Sequence, residues 1–155
     1  MIPDKQNLSE KDLIYKIKGL AYEIRNELGR FLHERPYQMA LEHALRKAGI
    51  DAHREVSIHV VYDGIDCGRA FSVDILISPD IVLELKATPE MQDAQFAQLR
   101  NYMNLLHSPF GMLINYGVKD FREGIHVMKA IPSQFPKNKA FPFFGTRGVE
   151  SSTLI

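Results

Sequence analysis

Asp74, Glu84 and Lys86 are the residues of this chain whose types and spacing could do chemistry together. Two carboxylates supply the hard oxygen ligands that a magnesium-like cation prefers, and such a cation often takes only one or two of them from protein. An ammonium two residues past the second carboxylate can steady an attacking water, or the charge that develops on a reacting phosphorus. The groups must meet for this to work, which places a demand on the elements that carry them.

Phe71 to Ile77 and Ile81 to Leu85 read as two short strands joined through Ser78, Pro79 and Asp80, a turn-forming triplet. If Ile77 pairs with Ile81, Asp74 falls opposite Glu84. Directly opposed residues share a face of the sheet, as do alternate residues along each strand. One face then carries Val73, Ile75, Ile77, Ile81, Leu83 and Leu85, and the other Ser72, Asp74, Glu84 and Lys86. A two-residue connection would set Asp74 against Leu85 and mix polar with apolar on both faces, a slip that buried sheets avoid. Opposed carboxylates repel, more so where Leu76 and Val82 reduce the surrounding water, and a divalent cation relieves that repulsion. The plainer alternative is a salt-bridged group on a solvated sheet face.

The remaining elements follow from periodicity and punctuation. Leu13, Ile17, Leu20, Ile24 and Leu28 recur at helical steps behind a cap at Ser9 and Asp12, and Gly29 can end that helix. Pro36 suits the start of a second helix with Tyr37, Leu41, Ala44 and Ala48 on one stripe, closed by Gly49. Glu55 to Tyr62 reads as a strand, Asp63-Gly64 as a hairpin turn, and Gly68 as a bulge before the next run. Pro89 to His107 reads as a helix with acidic Glu90 and Asp93 near its positive end, and along it Gln95, Gln98 and Tyr102 line one side. Gly111 to Tyr116 is a buried strand and Gly124 to Ile131 a weaker one. The expected architecture is α/β: two N-terminal helices, a three-strand meander, a crossover helix and one or two further strands in a mixed sheet.

A chain of 155 residues supports one domain, here placed at 1–131, with 132–155 as a Pro- and Phe-containing tail that is loosely packed or docks by its aromatics. Nineteen basic and nineteen acidic residues balance, so any charged partner must be recognised locally. The single cysteine, Cys67, excludes an internal disulfide and a paired-thiolate zinc site, and the six histidines show no zinc spacing. Met1 to Glu10 carries no signal core and no apolar run is long enough to span a bilayer, so the expected compartment is the cytoplasm.

The Asp strand, the Ile-Val-Leu-Glu-Leu-Lys strand and the helix bearing Gln98-Leu99-Arg100-Asn101-Tyr102 resemble, in that order, the motifs of PD-(D/E)XK nucleases, particularly RecB-like and lambda-exonuclease-like members. From Leu13 to about Lys129 the chain is similar to the GxxExxY proteins assigned to that superfamily. Gly19, Glu23, Leu28-Gly29, Glu34, Tyr37, Val73 to Leu76, Glu84 to Ala87, Gln98 to Tyr102 and Leu113 to Gly117 carry the likeness. The chain departs from the family pattern at Phe31, where the first Gly would stand, and this bears on the turn between the first two helices. The resemblance implies a restriction-endonuclease-like core and a magnesium or manganese ion held by Asp74, Glu84 and the main-chain carbonyl of Leu85. It further implies that Lys86 assists the attacking water, that Gln98 and Tyr102 orient the site or touch the nucleic-acid backbone, and that Glu23, Glu34 and Tyr37 are accessory positions. The expected activity is phosphodiester hydrolysis in DNA, ahead of RNA.

Three functional classes compete. The first is that nuclease. The second is a nuclease-fold protein that binds nucleic acid or a protein partner without cutting. The third is an oligomerisation module docking through Phe135, Phe141, Phe143 and Phe144. Near the C-terminus Lys119, Arg122, Lys129, Lys137, Lys139 and Arg147 outnumber Asp120, Glu123 and Glu150, which leaves room for a local basic patch.

Overall fold

A computed structural model describes residues 8–78 and 80–144. Pro79 of the hairpin triplet, and Arg147 and Glu150 of the tail, lie outside the described residues. Helix α1 spans Glu10–Leu28; the Ser9 hydroxyl accepts the Asp12 amide at its start, and Gly29, at φ 75°, caps its end. Ile17, Ala21 and Ile24 are its buried face, whereas Leu28 at the end of the expected stripe is exposed. Helix α2 spans Glu34–Lys47 and so begins two residues before the expected Pro36. Pro36 still sits in the first turn, where helix amides have no intrahelical partner and a missing N–H costs nothing.

Strands β1 (Ala52–Tyr62), β2 (Ile65–Ile77) and β3 (Ile81–Lys86) form the expected meander. Asp63 and Gly64 both have positive φ, as a type I′ turn requires. The bulge near Gly68 is present: the β1–β2 register shifts between Ile58 and Val61, and Gly68 adopts φ 89°. Helix α3 spans Asp93–Leu106, four residues later than Pro89. Gln92 and Gln95 form a capping box there, so Pro89 and Glu90 belong to the preceding loop. Strand β4 (Phe110–Asn115) lies parallel to β3, which the α3 crossover makes possible, and β5 (Ile125–Lys129) returns antiparallel to β4. Phe141–Phe143, in the segment read as a tail, forms a further strand, β6, on the free edge of β1. The order across the six-stranded mixed sheet is β5-β4-β3-β2-β1-β6.

Helices α1 and α2 cover one face of this sheet, with Ile17, Ile24, Tyr37 and Leu41 packed on Ile75, Leu83, Leu85 and Ile114. Helix α3 covers the other, through Leu99, Met103 and Leu106 on Leu76, Val82 and Leu113. Each such buried side chain contributes roughly 1.5–3 kcal/mol, so the two clusters hold the layers in place. One expectation fails here. Val73 does not share the α1/α2 face with Ile75 and Ile77; it lies in the α3-side cluster with its partner Val56. The cause is on β1, where Glu55 adopts φ 52°. A positive φ breaks the two-residue alternation, and both strands change sides at the level of Glu55 and Asp74. Among the described residues no helix is long and apolar enough to cross a membrane.

Candidate functional site

The β2–β3 ladder runs from Ile77↔Ile81 to Ile75↔Leu83, the register expected from the hairpin. Beyond it, side chains take over from the main chain. The Asp74 amide donates to Glu84 Oε1 at 3.3 Å, and the Leu85 amide donates to Asp74 Oδ2 at 2.8 Å. The two strands therefore part where the carboxylates stand. On the other side of β3, the Lys86 carbonyl accepts the Tyr116 amide at 2.8 Å. Backbone groups of successive strand residues point to opposite edges, so the Leu85 carbonyl is directed to the β2 edge, beside Asp74. The two carboxylates thus meet at the edge of β3 toward which the Leu85 carbonyl is directed.

The electrostatics there are unfavourable without a cation. Glu84 is a mere 3% exposed. Burial first, and the neighbouring Asp74 charge second, push its carboxyl up to about 9. Burial also raises Asp74, against the pull of the Leu85 amide. Two carboxyls this close in a poorly solvated site cannot both ionise cheaply, so the pair retains a proton at neutral pH. The donor set is all oxygen and short of positive charge, which fits a hard divalent ion that keeps much of its own water. It is not a closed cage: among the described residues no group of three or more His, Cys, Asp or Glu side chains is arranged to hold a metal.

Lys86 is held by α3. Its Nζ donates to Gln98 Oε1 at 3.0 Å, and Gln98 Nε2 donates to the Tyr102 hydroxyl at 2.9 Å. The Tyr102 ring stacks on Phe71 of β2, centroids 4.0 Å apart, and its hydroxyl pKa is raised by burial and by the Glu84 charge. The i, i+4 spacing of Gln98 and Tyr102 makes this chain of contacts possible. Glu34, in the first turn of α2, lines an open depression of about 340 Å³ together with Lys86, Thr88 and Gln98. Burial raises its carboxyl, Lys86 lowers it and Asp74 raises it, so Glu34 belongs to the same electrostatic neighbourhood.

The other two accessory positions lie elsewhere. Tyr37 is fully buried and stacked on Tyr116 at 4.2 Å. Its hydroxyl donates to the Gly29 carbonyl at 2.6 Å and accepts the Leu32 amide at 3.2 Å, which pins the α1–α2 loop. Glu23 is exposed on α1, with no hydrogen bond or ion pair to the site residues among those described. Two further residues were given no role at the site by the sequence, although Asn115 lies in the Leu113 to Gly117 stretch that carries the family likeness. Glu55, ion-paired with Arg54 at 2.9 Å, lies near enough for its charge to raise Asp74, through a backbone conformation that its residue type does not announce. Asn115 is fully buried: its Oδ1 accepts the amides of Thr88 and Gly117, both at 3.0 Å, and its Nδ2 donates to Thr88 Oγ1 at 2.9 Å. This network fastens the loop that follows Lys86.

Three residues of the C-terminal basic run are paired with acidic groups. Arg122 pairs with Asp120, Lys129 with Glu10 and Lys139 with Asp80. A family model described as the PD-(D/E)XK nuclease superfamily matches residues 11–128, from the start of α1 to within β5. No curated protein and no solved structure matched the chain.

Proposed function

From the membership of this chain in the PD-(D/E)XK nuclease superfamily, we propose that it is a divalent-metal-dependent phosphodiesterase that hydrolyses nucleic acid, DNA ahead of RNA. The observation that supports this best is the junction where β2 and β3 part: Asp74 and a buried, proton-retaining Glu84 meet there beside the Leu85 carbonyl. Those three groups would hold magnesium or manganese. The ion would supply Lewis acidity at a phosphoryl oxygen and a lowered pKa for the attacking water.

The protein's own contribution is placement. Gln98 fixes the Lys86 ammonium, whose donors then face the incoming phosphate and offset the negative charge that grows in the transition state. Tyr102, braced on Phe71, fixes Gln98 in turn. Glu34 adds an acidic group at the rim of the depression, fitted to orient water. At a finer level we place the chain with the GxxExxY proteins, on Glu34, Tyr37 and the strand and helix motifs quoted above. In this setting the motif tyrosine is a fastening for the loop that presents the motif glutamate.

Calorimetric titration of magnesium and manganese tests the reading when combined with cleavage of single- and double-stranded DNA. The native protein is expected to bind and cut, and Asp74→Ala and Glu84→Ala to do neither. Absence of divalent binding, even with DNA present, would sink it. The pairing of Arg122, Lys129 and Lys139 with acidic partners favours a second reading, in which the fold binds nucleic acid or a protein partner without cutting. Metal binding with no turnover on any nucleic acid supports that one.

A further inference from the structure

We propose that Phe31, with Arg30 against its ring and Arg35 four residues further along, is a stacking platform for an unpaired nucleobase, which makes single-stranded nucleic acid the preferred substrate class. The inference rests on the reading above for the identity of the adjacent site. Phe31 is 86% exposed, the most exposed large apolar side chain described. It sits in the loop between α1 and α2, three residues before Glu34, which lines the depression with Lys86 and Gln98. Three residues of extended chain span at most about 11 Å, so the backbone of Phe31 lies within that reach of Glu34.

Isolated exposed apolar residues are ordinary. Three observations set this one apart. The loop is held rigidly, since the Tyr37 hydroxyl bonds both the Gly29 carbonyl and the Leu32 amide from within the core. The ring is therefore presented 86% exposed and at little entropic cost on binding. The Arg30 guanidinium lies 4.7 Å from the ring centroid, and neither Arg30 nor Arg35 forms an ion pair among the described residues, unlike Arg46, Arg54, Arg122, Lys129 and Lys139. A base on the ring with phosphates toward two guanidiniums that form no ion pair among the described residues matches this chemistry. A second copy of the chain matches it less well, because a two-fold contact through Phe31 would bring four guanidiniums together. Bases inside a duplex have no free face to offer, and an unpaired strand does.

Fluorescence anisotropy with a labelled oligothymidylate and a blunt duplex, in calcium, tests the platform through binding and separately from cleavage. Phe31→Ala is expected to weaken single-strand binding on the order of 10- to 100-fold and to leave duplex binding unchanged, and Phe31→Trp to retain it. Equal affinity of Phe31→Ala and the native protein for oligothymidylate overturns the proposal. So does a native dimer in sedimentation velocity that Phe31→Ala converts to monomer with no change in oligothymidylate affinity. If Phe31-dependent binding persists in a protein that cuts nothing with magnesium or manganese, the platform stands and the catalytic reading fails. If the protein cuts and Phe31→Ala matches it in both affinity and KM, the reverse holds.

Discussion

The amide of Leu85 donates to the carboxylate of Asp74 at 2.8 Å, where a main-chain carbonyl of β2 would stand if the ladder continued. Asp74 thus ends the β2–β3 pairing with the same side chain that the proposed function makes a metal ligand. The two roles separate by substitution. Asp74→Asn keeps an oxygen acceptor for Leu85 and removes a charge next to Glu84, so its thermal midpoint without metal is expected at or above that of the native protein. Asp74→Ala leaves the amide unsatisfied at a cost of about 1–3 kcal/mol. Both lose divalent binding. Melting curves and calorimetry on the pair check this, and a stable Asp74→Asn variant that binds magnesium with native affinity would contradict it.

Glu84 makes stability fall as pH rises. Its folded-state pKa is raised from 4.5 to about 9, chiefly by burial, so between those values the folded protein holds a proton that the unfolded chain has lost. Its contribution is full below the lower value and disappears as pH climbs through the upper one. Glu84→Gln removes the titration, and in chelator its melting temperature should exceed the native one by several degrees, on the order of 5 °C, at pH 8 and converge with it near pH 4. Magnesium should close the gap from the native side alone and release protons as it binds. Parallel pH profiles for the two proteins would show that the carboxyl is not held protonated.

Lys86 and Gln98 differ in what they lose. Lys86→Met removes the cation proposed to face the phosphate and is expected to lower kcat by about 100- to 1000-fold with little change in KM. Gln98→Ala leaves the ammonium in place without its 3.0 Å acceptor, so the loss should be smaller, about 10-fold. Tyr102→Phe keeps the stack on Phe71 and removes only the outer hydrogen bond, for a still smaller effect. Single-turnover cleavage rates order the three. A larger loss at Tyr102 than at Lys86 would show that the hydroxyl, not the ammonium, meets the substrate.

Much of this arrangement was legible in the residues. The pattern on both sides of Ser78-Pro79-Asp80 determined the hairpin register, because a one-residue slip would have set Asp74 against Leu85 and mixed polar with apolar residues on both faces. The spacing of Gln98 and Tyr102 placed them on one side of α3. What escaped has local causes. The change of sides at Val73 arises from the φ of Glu55, and no residue-type preference forecasts a glutamate at positive φ inside a strand. The late start of α3 at Asp93 follows from a capping box built with glutamine at its N-cap, which is not among the usual cap residues. Phe141–Phe143 became β6 because β1 offered an open edge, and a short apolar run with a proline in it has no period to declare that.

Asn115 and Gly117 hold the end of β4 against the loop that leaves Lys86. A Cβ on Gly117 would stand 2.6 Å from both the amide nitrogen and the carbonyl oxygen of Thr88, main-chain atoms that cannot swing aside. Gly117→Ala must therefore push Ala87 and Thr88 away, at a cost of about 1–3 kcal/mol. Asn115→Ala strands the part-buried amides of Thr88 and Gly117, for about 1–3 kcal/mol. The displaced loop connects Lys86 to α3, so the Lys86–Gln98 bond should lengthen in both variants. Neither substitution touches the carboxylates. Divalent affinity measured by calorimetry is thus expected to stay within about threefold of native at temperatures where the variants are folded, while kcat falls by roughly 10-fold or more. Native kcat in a folded Gly117→Ala protein would mean that the position of Lys86 does not depend on this clamp.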